Sequence, residues 1–281
     1  MVLLRNVMYT VMIAVWVFLA TTVLGSTIII MAFFIQKPDW FHQIARAWAK
    51  SILWVSRAKV AVKGLEHLPQ DAPCILMPIH QSNFDIPVLL GRLPVQFRLL
   101  AKAELFKIPI FGRGMRGCGY ISIDRSNRKS AFRSLEKAAD TIRNGVSVLI
   151  FPEGTRSRDG RLKEFKRGGT AMMLSAADRL PVVPVTISGS WRLAEKSLFP
   201  VPFGCEVRIR FGDPIERHPD DVDELLITED AVLAERRHDD LRHRWPRSQD
   251  PATAGIAPAC GTCGRSGPGG MAAMARGGLV P

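Results

Sequence analysis

Residues 76–90 read LMPIHQSNFDIPVLL. An apolar run that begins at Cys74 ends at a histidine, and a second apolar run starts just after an aspartate. The first run, CILMPI over 74–79, has the length and composition of a buried strand. Ser82 is placed to cap a helix over 83–90, with Asp85 at its third position, a Ser-x-x-Asp start. Strand, polar turn and helix is the unit from which parallel sheets are built. It leaves His80 just beyond the carboxyl end of a strand, where open α/β sheets hold ligands. Two readings of the pair stand. In one, His80 is a catalytic base and Asp85 orients it, fixing the tautomer and stabilising the imidazolium. In the other, His80 is a loop residue and Asp85 only a cap.

Spacing does not separate these readings, because His-x-x-x-x-Asp recurs at His218 and Asp223 in ERHPDDVDELL. No strand precedes that copy, and Asp220, Asp221 and Asp223 read as the acid-rich first turn of a helix. Context around His80 is different. FRLLA (97–101), YISI (120–123), VSVLIF (146–151), PVVPVTI (181–187) and EVRIRF (206–211) read as further strands. Residues 130–143 read as a helix with Leu135, Ala138, Ala139 and Ile142 on one face, stopped by Gly145, and 171–177 as another. This alternation predicts an α/β domain over 58–244 with a mostly parallel central sheet flanked by helices. Pro184 places its strand at an edge, or at a strand start.

Two more polar groups follow predicted strands. FPEGTRSRDGRLKEFKRGGT (151–170) opens at the end of one strand. Gly154 permits a tight turn, Arg156 projects from the loop, and Lys166 and Arg167 precede a Gly-rich helix start, which suits an oxyanion or a phosphate. The Walker pattern is absent from this stretch. Lys102 follows the strand at 97–101, and Arg125 ends YISIDR and extends the basic patch. Phe106, Ile108, Pro109, Ile110 and Phe111 read either as core or as an apolar wall for a lipid.

The 281-residue chain carries a net charge of +12, which calls for an anionic partner. Four of six tryptophans (Trp16, Trp40, Trp48, Trp54) lie in the first 54 residues, favouring a membrane interface over nucleic acid. Residues 6–36 carry no charged side chain, so 1–57 reads as a membrane-associated segment. The apolar run either spans with tilt or breaks near Gly25-Ser26 into a shallow hairpin. Cations after it place the rest of the chain in the cytoplasm. Residues 39–57 form an amphipathic helix whose stripe (Phe41, Ile44, Trp48, Ile52, Val55) lies in the headgroup plane or packs on the core. Five scattered cysteines suggest no disulfide framework. Cys260-x-x-Cys263 falls in 245–281, a low-complexity tail expected to be disordered.

These blocks together resemble the PlsC family of 1-acylglycerol-3-phosphate acyltransferases. His80 and Asp85 (HQSNFD), Gly119–Arg125 (GYISIDR), Phe151–Arg156 (FPEGTR) and Val183–Val185 (VPV) match its blocks in order, and KGLEHLP (63–69) and Lys102 also fit. Ile79 stands where many members have Asn. The resemblance implies a glycerol-3-phosphate acyltransferase-like fold at a cell membrane, on the cytoplasmic face of a bacterial inner membrane. It implies transfer of an acyl group from acyl-CoA or acyl carrier protein to the 2-hydroxyl of lysophosphatidic acid, giving phosphatidic acid. His80 would be the base and Asp85 its orienter. Arg156 would clamp the phosphate, with Lys102, Lys166, Arg125 and the Gly154-Thr155 turn around it, and Glu153 would hold the glycerol or brace the loop. Membrane lipids are expected partners; nucleic acid, metal and cofactor are not. A related acceptor, glycerol-3-phosphate or a lyso-aminolipid, is the alternative. Oxyanion donors near the histidine loop are expected but not identified by sequence.

Overall fold

A computed structural model describes residues 2–70, 72–124, 126–156, 180–190 and 204–215. Two helices come first, α1 (Val2–Ala32) and α2 (Pro38–Val55). Then follow β1 (Lys59–Lys63), β2 (Ile75–Pro78), α3 (Asp85–Arg92), β3 (Phe97–Lys102), α4 (Phe111–Gly117), β4 (Ile121–Ile123), α5 (Arg128–Arg143), β5 (Ser147–Leu149), β6 (Val182–Ser188) and β7 (Glu206–Phe211). The described strands form one sheet in the order β1-β7-β6-β2-β5-β3-β4. All pairings are parallel except β6 with β7.

The mostly parallel sheet is therefore present, and its inner strands are buried along nearly their whole length. That is what helices on both faces require. Successive residues alternate faces. Leu76, Leu149 and Val183 join a core with Ile52 and Leu53 of α2 and Leu89 of α3. Ile75, Val148 and Val182 join a second core with Leu135, Ala138 and Ile142 of α5. So α1, α2 and α3 cover one face and α5 the other.

Pro184 is not at an edge: β6 lies between β7 and β2. The reason is direction. The carbonyls of Pro181 and Val185 accept from β2, while residues 182 and 184 face the 212–215 segment. Pro184 takes a bond from the Gly212 N–H, and its missing donor falls where the antiparallel ladder has ended. A proline is tolerated when its nitrogen points away from a continuous ladder.

The apolar run 6–36 does not fold back on itself near Gly25-Ser26. Helix α1 runs unbroken through Gly25-Ser26, and Leu4–Ala32 is long and apolar enough to cross a membrane, with little of it buried. Gly25 serves close approach: a Cβ there would lie 2.7 Å from Ile110 Cγ2. Gly117 of α4 approaches Ile28 in the same way. Residues 111–117, within and beyond the apolar stretch after Lys102, form the helix that makes this contact. Phe106 is buried beneath them and Ile108 exposed. The stripe of α2 packs inward, Phe41 and Ile52 being 2% exposed. Of the clustered tryptophans, Trp16 donates to Ser51 Oγ (3.1 Å) and Trp48 to Thr21 Oγ1 (3.0 Å), joining α1 to α2. Trp40 and Trp54 remain exposed, as do Phe18, Phe33 and Phe34 of the α1 segment.

A buried polar cluster fastens α2 to the sheet. Arg98 of β3 pairs with Asp39. His42, fully buried, meets Tyr120 Oη at 3.1 Å and stacks edge-on against Phe97. Burial, reinforced by the Arg98 and Arg46 cations, holds the His42 pKa down at about 3. Burial also keeps Tyr120 protonated, so its hydroxyl shares a hydrogen bond with Nδ1 of a neutral imidazole. Below pH 6.5 the unfolded imidazole binds a proton that the folded one refuses until about pH 3. Stability should therefore fall with pH across that window, with His42 contributing up to ~1.4 kcal/mol per pH unit. Urea unfolding at pH 7 and pH 5 in detergent should show this slope, reduced in His42→Phe. An equal slope in the variant would contradict it.

Candidate active site

Strands β2, β5, β3 and β4 are parallel neighbours, so their carboxyl ends share one edge. His80 follows β2, Phe151–Arg156 follow β5, and Lys102 ends β3. Arg125, after β4, and Lys166 lie outside the described residues, as do 171–177, the His218–Asp223 copy and the 245–281 tail.

The backbone around His80 follows from strand alternation. Ile79 donates to Val185 of β6 (3.2 Å), and the even-numbered residues face β5, where the Ile150 N–H bonds Leu76 O. Pro78 has no N–H to offer on that side. The next one, that of His80, meets the Glu153 carboxylate at 2.7 Å (Oε1) in place of a strand carbonyl. Glu153 is 2% exposed. This bond ties the FPEGTR turn to the histidine loop.

The side chain is held on two sides. His80 Nδ1 lies 2.8 Å from Asp85 Oδ2. The same oxygen accepts the N–H groups of Gln81 (2.7 Å) and Ser82 (2.8 Å). Asp85 is fully buried, and its Oδ1 has no partner among the described residues. An oxygen that already accepts two backbone N–H groups is an acceptor towards Nδ1 as well, so Nδ1 carries the ring proton and Nε2 is left as the acceptor. The imidazole also stacks on Phe151, centroids 4.0 Å apart at 24°. The stacking role of Phe151 was not foreseen from the sequence; the aromatic opening FPEGTR was its only signal.

Helix α3 starts at Asp85, not at residue 83. Ser82 Oγ accepts from the Phe84 N–H (3.2 Å) and Ser82 O from the Asp85 N–H (3.2 Å), so 82–85 is a turn. Asp85 keeps the return half of a capping box by accepting from the Ser82 N–H. The backbone donors of residues 81, 82, 84 and 85 are thus spent within the loop, and that of residue 80 on Glu153. None of them is available to a substrate oxyanion.

The FPEGTR turn closes with Gly154 N–H on Phe151 O (3.0 Å), and Gly154 has φ +69°, the left-handed region that favours glycine. Thr155 and Arg156 are exposed beside it. Lys102 points to solvent, 63% exposed, and pairs with Glu104 at 3.0 Å. The Lys102 ammonium holds the Glu104 carboxyl below the usual range.

A family model described as Acyltransferase matches residues 59–188, which contain all these groups. A 1-acyl-sn-glycerol-3-phosphate acyltransferase of Limnanthes douglasii is 31% identical over 204 residues, 71% of this chain and 68% of that one. The chain belongs to this acyltransferase family. A chloroplastic family member of Brassica napus is 36% identical over 178 residues, 63% of this chain and 48% of that one. This chain thus spans about half the length of that relative. The crystal structure of PlsC from Thermotoga maritima, a 1-acyl-sn-glycerophosphate acyltransferase, superposes with a TM-score of 0.67 at 26% identity, covering 88% of this chain and all of that one.

Glu153→Ala would leave the His80 N–H without its side-chain acceptor. We expect kcat to fall ~10–100-fold from a loosened base, with acceptor KM nearly unchanged. Single-turnover kinetics check this; a rise in KM at constant kcat would instead make Glu153 a substrate contact.

Proposed function

We propose that the protein transfers a fatty acyl group from acyl-CoA or acyl carrier protein to the 2-hydroxyl of 1-acyl-glycerol-3-phosphate, forming phosphatidic acid. The observation that carries this reading is the 2.8 Å contact between His80 Nδ1 and a buried Asp85 at the carboxyl edge of the sheet. A base fixed in this way needs no protein nucleophile, because the acceptor supplies the hydroxyl. His80 Nε2 takes the hydroxyl proton as the oxygen bonds the thioester carbonyl. The tetrahedral intermediate collapses with loss of the C–S bond, and the imidazolium returns its proton to the leaving thiolate. Phe151 beneath the ring offers a π face to the imidazolium while it lasts.

On this reading Arg156 binds the acceptor phosphate, with Lys102 released from Glu104 to assist and Lys166 and Arg125 completing the cationic side. The Gly154-Thr155 turn presents them. No cofactor or metal is needed. The exposed apolar surface of α1 meets lipid. The catalytic edge then works at the cytoplasmic face of the cell membrane, where the acceptor's acyl chain stays in the bilayer.

Detergent-solubilised protein with lysophosphatidate and labelled acyl-CoA tests the assignment. His80→Ala should lose ~10²–10⁴-fold in kcat. Arg156→Ala should raise KM for the phosphorylated acceptor about tenfold. Near wild-type turnover in the first, or an unchanged KM in the second, would overturn the respective role.

A further inference from the structure

Helix α5 carries a surface that neither the fold nor the proposed chemistry uses. Its inner side is consumed by the second core through Leu135, Ala138 and Ile142. On its outer side Phe132 is 49% exposed, a large aromatic left in water. Lys129, Arg133 and Lys137 are exposed around it, with one acid, Glu136, exposed beside Phe132, so the face carries a net positive charge. The three cations recur every four residues, so they form a row ~12 Å long at 1.5 Å per residue. Ion pairing is within reach on this helix, since Arg143 binds Asp140 at 2.7 Å. Yet none of the three cations has an ion pair among the described residues. The first turn contains no acidic residue, although the positive end of the helix dipole favours one. Helix stability therefore does not account for these cations.

The placement narrows the partner. α5 lies on the sheet face opposite α1 and α2, so its outer side is turned away from the exposed apolar helix. This separates it from the apolar surface that the proposed function gives to lipid. Its amino end follows β4 and so adjoins the catalytic edge, three strand spacings or about 14 Å from β2. A nucleotide needs a compact cationic cluster. A straight row at helical period, with one aromatic anchor beside it, matches carboxylates on successive turns of a facing helix.

We propose that the outer face of α5, through Lys129, Phe132, Arg133 and Lys137, docks an acidic helix of a carrier protein that presents the acyl thioester. This rests on the acyl-transfer reading for the identity of the cargo, while the docking itself is measured separately. The donor protein would sit on the aqueous side of the sheet and deliver its acyl arm over the carboxyl edge, as the acceptor arrives from the lipid side.

The test uses the full chain in detergent with lysophosphatidate as acceptor and two palmitoyl donors, palmitoyl-CoA and a palmitoyl-loaded acidic acyl carrier protein. Lys129→Glu with Arg133→Glu should raise KM for the carrier-protein donor at least tenfold and leave KM for palmitoyl-CoA within twofold. Phe132→Ala should act in the same direction, and added salt should weaken the wild type towards the carrier donor more than towards CoA. Anisotropy of fluorescently labelled carrier protein reads binding without turnover. An inactive wild type that still binds the carrier through these residues would fail the acyl-transfer reading and keep the docking surface. Equal losses with both donors, unchanged carrier binding in the double variant, or a wild type that neither binds nor uses the carrier would overturn the proposal. So would lost binding to phosphatidylglycerol vesicles with carrier kinetics intact, which would make this face a lipid contact.

Discussion

One carboxylate oxygen organises the loop at the carboxyl edge of the sheet. Asp85 Oδ2 accepts from His80 Nδ1, Gln81 N and Ser82 N, all within 2.8 Å. Burying a carboxyl group is costly unless donors replace the water it loses, and here three do. The same three bonds therefore offset that burial, shape the turn between β2 and α3 and fix the orientation of the imidazole. On the proposed reading, base and cap are not competing roles for this pair: the bonds that cap the turn also fix the geometry of the imidazole.

The sheet supplies the second support. Parallel register between β2 and β5 brings Glu153 under the His80 N–H and Phe151 under its ring, across 73 and 71 positions of sequence. Both contacts arise where the ladder stops: a carboxylate replaces the missing strand carbonyl, and an aromatic fills the space beside the ring. With the loop's own donors already engaged, stabilisation of a tetrahedral oxyanion falls to groups outside residues 80–82 and 84–85. The two faces of the sheet meanwhile take different surroundings, apolar helices on one side and the cationic row of α5 on the other.

What was legible in the sequence was local. The strand before His80, the turn, the proximity of Asp85 and the positive φ of Gly154 all follow from short-range chemistry, and the α/β alternation fixed the sheet class. The start of α3 was misplaced because Asp85 binds the backbone of Gln81 and Ser82, which turns the chain before helix can begin. Pro184 was misjudged because the edge-strand rule concerns where the nitrogen points, which needs the β6–β7 register. Helix α4 was hidden by its glycines, poor helix formers that here pack closely on α1. The bond from the His80 N–H to Glu153 required a long-range pairing that no spacing encodes.

The central claim is that Asp85 holds His80 as the Nδ1–H tautomer with Nε2 free to accept a proton. Nitrogen-15 NMR of histidine-labelled protein in detergent, at a pH where the ring is neutral, reads this directly once His80 is assigned with His80→Gln. The account predicts a protonated Nδ1 and an unprotonated Nε2 for His80, lost to a mixture in Asp85→Asn. A dominant Nε2–H tautomer in the wild type, or a tautomer unchanged in Asp85→Asn, would contradict it.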